Sequence, residues 1–214
     1  MTGALCGTIV FASTLQSGFS PRADRADQDT TDHIMTTPKT PKTPSAPSPW
    51  VVRFTGCIRE GGTVLDLACG RGRHSRFLLE HGHLVVGADR DLSGVADLLG
   101  HAKFEAQEAE LEGDAWPLGG QSFDGVVVTN YLYRPRLSEL ADLLSEDGIL
   151  IYETFAKGQE AFGRPTNPDF LLAPNELLDV FSPLLEIIAF EQKVDTEPRL
   201  ALRQRLVARR RSAK

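Results

Sequence analysis

Cysteine, histidine and long apolar runs are all scarce in this chain of 214 residues. Its three cysteines, Cys6, Cys57 and Cys69, are too few and too unevenly spaced for a disulfide framework or a zinc site, and their rarity points to a reducing, cytoplasmic setting. Neither CxxC nor HExxH occurs. The one close histidine pair, His81 and His83, sits two residues apart in an expected turn with no third ligand nearby, so no metal is expected. No stretch is apolar for long enough to span a bilayer. The segment ALCGTIVFASTL imitates the apolar part of a signal peptide but lacks the basic residues that precede one. Triphosphate binding is not indicated either, because GxxxxGK[ST] is missing. A net charge of −6 gives no general attraction to nucleic acid or to acidic membranes.

What remains is an ordinary globular composition, 41% apolar and 24% charged, in a length that suits one substantial core. Six of the 13 prolines fall in the first 49 residues, and TTPKTPKTPSAPSP reads as an extended, unpacked tract. Residues 1–49 are therefore expected to be a disordered extension, and Met35, just ahead of the tract, is a candidate true start. Residues 50–214 form the expected folded domain.

Within that domain, apolar strand-like runs alternate with amphipathic helical ones. TVLDLA, HLVVGAD, KFEAQEAEL, FDGVVVTNYL and ILIYETF read as five strands. Helices are expected over RHSRFLLEHG, LSGVADLLGHA, PRLSELADLLSEDG and NELLDVF. LEIIAFEQKV and RLALRQRLVARR then follow without a helix between them, as a hairpin turning near Glu197 and Pro198. The expected fold class is α/β: a Rossmann-like three-layer sandwich whose seven-stranded, mostly parallel sheet ends in a C-terminal antiparallel hairpin.

The informative stretch is TVLDLACGRGRHS, residues 63–75. Gly70 and Gly72 can adopt positive φ and let a ligand approach the backbone, and the helix that follows offers free N–H groups to an anion. Ser75 stands where the third glycine of a dinucleotide fingerprint belongs. Asp66, at the end of the first strand, would repel a pyrophosphate but suits an ammonium group. Asp89 ends the second strand at a spacing appropriate to ribose hydroxyls, and Asp114, beside Trp116, suits an adenine amino group.

In these motifs the chain resembles the class I S-adenosylmethionine-dependent methyltransferases. VLDLACGRGRHS is similar to their glycine-rich motif, VVGAD to the acidic second-strand motif, GDAWPL to the adenine-side motif and SFDGVVVTNYL to the next strand. GRHSRFL and IYETFAKGQEAFGRPTNPDFLLAPNEL resemble the branch of tellurite-resistance methyltransferases. Ala68 departs from the pattern where many relatives carry glycine. The resemblance implies S-adenosyl-L-methionine as cofactor, bound by Asp66, Ala68, Gly70, Gly72, Asp89, Asp114, Ala115, Trp116 and Asn130. It also implies methyl transfer by in-line displacement, which depends on positioning more than on a catalytic triad.

On the acceptor side, NYLYRP differs from [ND]PP[YF], and no Pro-Cys pair is present, which disfavours DNA bases as substrates. Tyr131, Arg134 and Arg164 are candidate substrate-positioning residues, the arginines for an anionic acceptor. A small-molecule acceptor is expected, RNA remaining open through the basic end RQRLVARRRSAK. Two other readings stay open on sequence: a nicotinamide-dependent oxidoreductase using Asp89 for the ribose, and a nucleoside-binding protein without catalysis.

Overall fold

The computed structural model describes Ile9, Val10 and residues 45–212. The remainder of the expected extension, with the candidate start at Met35, lies outside the described residues. In chain order the main elements are β1 (Ile9–Val10), α1 (Pro49–Phe54), β2 (Thr63–Leu67), α2 (Arg73–Glu80), β3 (Leu84–Asp89) and β4 (Phe104–Glu108), then β5 (Phe123–Thr129), β6 (Leu144–Phe155), α3 (Glu176–Phe181), β7 (Glu186–Asp195) and β8 (Ala201–Arg209). Among the described residues, no helix is long and apolar enough to cross a membrane. Cys69 is a free, buried thiol.

The strands form one sheet in the order β1-β7-β8-β6-β5-β2-β3-β4. Strands β2 to β6 are parallel, and β8 runs antiparallel to both β6 and β7. This is the seven-stranded sheet with a terminal hairpin that the alternation of runs predicts, with β1 added as a two-residue parallel edge on β7. Near-continuous apolar runs such as TVLDL form central strands because both sheet faces are covered. Along β2, Val64 packs with Trp50, Val51, Phe54, Phe77 and Leu78 beneath α1 and α2. Leu65 and Leu67 point to the other face, where they join Leu140, Leu144, Phe181 and Tyr152. Three layers result.

Two expected helices are replaced by tighter turns. LSGVADL forms a 3-10 segment, Leu92–Leu98, in which Gly94 lies against the backbone of Gly70, and a Cβ there would stand 2.4 Å from the Gly70 carbonyl oxygen. The run from Arg134 yields only the short 3-10 turns Arg134–Arg136 and Ser138–Ala141. Its helical spacing of leucines is overridden because Leu144 already pairs with Phe123 as the start of β6. Gly148, at the end of that expected helix, therefore lies inside a strand.

The hairpin carries buried charge. Arg205 and Glu153 are 6% and 4% exposed, and Arg205 Nε donates to Glu153 Oε2 at 2.5 Å while Nη1 donates to Glu191 at 2.9 Å. Asp195 accepts a third bond from the same guanidinium. Removing one member of such a group strands the others without solvent. Arg205→Ala should therefore lower unfolding free energy by about 3–5 kcal/mol in urea titrations. Arg205→Lys, which keeps the charge, should lose less, and a loss under about 1 kcal/mol for alanine would show that desolvation cancels these bonds.

Candidate active site

Because β2 to β6 run parallel, the loops that leave them open on one edge of the sheet. The strand order reverses between β2 and β5, so the loop after β2 and the loop after β5 diverge and leave a crevice. The sequence candidates Ala68, Gly70, Gly72, Asp89, Asn130, Tyr131 and Arg134 all follow these strand ends.

The loop from Ala68 to Gly72 is built on left-handed backbone: φ is +54° at Ala68, +54° at Gly70 and +66° at Gly72. Alanine at such an angle costs roughly 1–2 kcal/mol. Gly72 needs to be glycine for a second reason, since a Cβ would meet Val95 Cγ1 at 2.5 Å. Above Gly70, by contrast, a Cβ would meet nothing within 4 Å, so this peptide borders open space.

Asp89 fixes the loop from the neighbouring strand. Its Oδ2 accepts from the Gly70 N–H at 2.8 Å and its Oδ1 from the Asp91 N–H at 3.1 Å. A carboxylate has about four acceptor sites, so each oxygen keeps one for a ligand hydroxyl. Asp66 is placed differently: it is 1% exposed, under the loop, and accepts from Ser75 Oγ at 2.6 Å. Burial raises its pKa to about 6, against the lowering effects of the Ser75 bonds and of Arg73. It acts on the site as a buried charge.

Several groups at this edge carried no signal that the sequence reading used. Arg73 opens α2 and is partly buried, with Ala46 O at 3.4 Å from Nη1. A cation at a helix N-terminus opposes the helix dipole, and burial lowers the Arg73 pKa. That unfavourable placement, visible in GRGRHS, was the available clue. His74 is held neutral, its pKa lowered to about 3 by burial and then by Arg73. Its Nε2 accepts the Ser48 N–H at 3.1 Å, so Nδ1 carries the proton towards Thr129 Oγ1 at 3.3 Å. Ser48 Oγ donates to Glu153 Oε2 at 3.1 Å. Ser48, assigned to the extension by its proline-rich surroundings, is thus 3% exposed and part of the site.

The adenine-side candidates lie beyond the strand instead of at its end. β4 stops at Glu108, and Asp114 and Ala115 are exposed in the following loop. Arg136 organises this loop by donating to Gly113 O at 3.1 Å and to Asp114 O, with its guanidinium 5.4 Å from the centre of the Trp116 ring.

On the acceptor side, Asn130 has φ +55° and accepts from Arg203 Nη1 at 2.6 Å through Oδ1. The Tyr131 hydroxyl is buried without a hydrogen-bond partner, and burial followed by Glu112 pushes its pKa up, so it stays a protonated phenol. Arg134 is bonded within the chain. Its guanidinium makes a two-point bond to Glu176, at 2.6 and 3.0 Å, and donates to Asp169 O and Leu171 O, each at 2.7 Å. With those donors engaged it anchors the segment after β6, which leaves little to offer an anion. Arg164 is exposed on that segment.

A family model described as "Methyltransferase domain" matches residues 64–148, from β2 into β6, which is less than half of the chain. Among solved structures, TehB from Haemophilus influenzae superposes with a TM-score of 0.60 at 19% identity, over 76% of this chain and 61% of that one. The fold is a methyltransferase fold. The chain thus spans 61% of the length of TehB. A Burkholderia thailandensis 1,6-didemethyltoxoflavin-N1-methyltransferase, solved with its substrate and S-adenosylhomocysteine, gives a TM-score of 0.59 at 18% identity, over 77% of each chain. The same methyltransferase fold occurs in the [4+2]-cyclase SpnF, with a TM-score of 0.61 at 15% identity over 77% of this chain and 79% of that one. No curated protein matches the sequence.

Asp66 gives this site a pH signature. Its folded-state pKa lies above the unfolded value, so the folded chain binds the proton more tightly and stability falls as pH rises from about 4 to about 6. Asp66→Asn should remove that component, changing the difference in unfolding free energy from wild type by on the order of 3 kcal/mol across this window. Parallel pH profiles for the two proteins would place the titration elsewhere.

Proposed function

We propose that the chain is an S-adenosyl-L-methionine-dependent methyltransferase acting on a small-molecule acceptor. The observation that carries this reading is the pairing of a left-handed, open loop with the Asp89 clamp at the point where the strand order reverses. When bound, the cofactor supplies a sulfonium-activated methyl group. The residues present fit it in charge and in shape. Asp89 accepts ribose hydroxyls on its free lone pairs, and the open face of Gly70 admits the methionine portion. Arg73 meets a carboxylate at the start of α2, which relieves its opposition to the dipole, while Asp66 holds negative charge beneath an ammonium group. Trp116 and the loop that Arg136 secures form the adenine side.

Asn130 and Tyr131 then flank the nucleophile, and the chain's contribution to rate is to hold it in line with the methyl carbon and to exclude water. The Burkholderia neighbour, whose substrate is a small heterocycle, supports a small-molecule acceptor. A fold shared with a cyclase leaves methyl transfer itself to be measured.

Calorimetry decides the cofactor. S-adenosylmethionine and S-adenosylhomocysteine should both bind, and NAD should not, while Asp89→Ala and Arg73→Ala should each weaken S-adenosylhomocysteine at least about tenfold, the equivalent of about 1.4 kcal/mol. Binding of NAD alone would replace this reading with the oxidoreductase.

A further inference from the structure

A cavity of about 290 Å³ opens at the ends of β5 and β6, on the acceptor side of the crevice. Its wall is mainly apolar: Leu132, Phe155, Pro165 and Phe170, with the ring of Tyr131. Glu112, Asn130 and Thr154 also line it, and no basic side chain belongs to the lining among the described residues. The size lies at the lower end of small-molecule sites, which run from roughly 300 to 1,000 Å³.

Two of the nearby cations are already paired. Arg134 is held by Glu176, and Arg203 lies behind the wall, 4.1 Å from the centre of the Phe155 ring, bonded to Asn130 and within 3.6 Å of Glu153 and 3.5 Å of Asp195. Arg164, beside Pro165, is exposed and is not part of the wall. Among the described lining residues, the one formal charge is the carboxylate of Glu112. An oxyanion entering here would lose its hydration against aromatic rings and meet that carboxylate, with no guanidinium among the described lining residues in compensation. Phe170, one of the lining residues, is 49% exposed, an apolar side chain that a flat ligand would cover.

We propose that this cavity binds a compact aromatic or heteroaromatic molecule that is neutral or cationic, and that it rejects oxyanions. The assignment rests on the methyltransferase reading only in naming the occupant as the methyl acceptor. The anionic acceptor expected from Arg134 and Arg164 is replaced by one whose ring packs on Phe155 and Phe170 and whose positive charge, where present, faces Glu112.

The test uses the full chain saturated with S-adenosylhomocysteine and four probes: tryptamine, indole, indole-3-acetate and tellurite. Dissociation constants for the indoles come from saturation-transfer NMR, and tellurite is followed by its displacement of tryptamine. Tryptamine and indole should bind at least tenfold more tightly than indole-3-acetate, and tellurite should displace nothing. Glu112→Lys should reverse the order of tryptamine and indole-3-acetate, and Phe170→Ala should weaken indole at least fivefold. Both side chains are exposed, and retained S-adenosylhomocysteine affinity will show that the variants are folded. Silence from all three indoles, displacement by tellurite, or an order unmoved by Glu112→Lys would overturn the assignment. Failure to bind S-adenosylhomocysteine while the indoles still bind would sink the methyltransferase reading and leave the cavity's ligand class standing.

Discussion

The carboxylate of Asp89 is the contact on which the site depends. It reaches from the end of β3 to the N–H of Gly70 in the neighbouring loop, and on its other oxygen to the N–H of Asp91. Left-handed residues at Ala68, Gly70 and Gly72 fold that loop back on itself, an arrangement that backbone preference opposes at Ala68. A cross-strand acceptor compensates by satisfying a loop donor that would otherwise rely on water. The close approach of Gly94 to the Gly70 carbonyl packs the next peptide of the same loop. Strand spacing thereby sets the geometry of the loop.

Much of this was legible in the sequence, for a physical reason. Apolar runs buried on both faces have one good outcome in an alternating pattern, and the missing helix before the last strand demanded an antiparallel hairpin. The glycines and acids sat at strand ends because they interrupt those runs. The misreadings arose where tertiary pairing outweighed local periodicity. The leucines from Leu137 to Leu144 are spaced as on a helix, yet Leu144 belongs to β6. Asp114 follows an acidic stretch that hides the true end of β4 at Glu108. Ser48 was concealed by the prolines around it, since composition says nothing about which serine finds a buried carboxylate.

Arginine was the hardest residue to read. Arg134, Arg136, Arg203 and Arg205 are all bonded within the chain, to carboxylates, carbonyls or an asparagine side chain, and they act as ties between segments. Arg73 differs because its position at a helix start sets it against the dipole, with burial added. Sequence spacing treats the five alike. What separates them is how many donors the fold has already used, and that count exists only in three dimensions.

Glu153 joins parts of the chain that the linear order keeps far apart. One oxygen receives Ser48 from the approach to α1 and Arg205 from β8, and Ser48 in turn receives its place from His74 on α2. The residues just ahead of α1, the helix behind the glycine loop and the terminal hairpin thus share a single buried acid. A disturbance at any one of them is transmitted as a change in the solvation of that acid. The crevice and the terminal hairpin therefore meet at one buried acid, whose bond to Ser48 draws the proline-rich stretch ahead of α1 into the same packed interior.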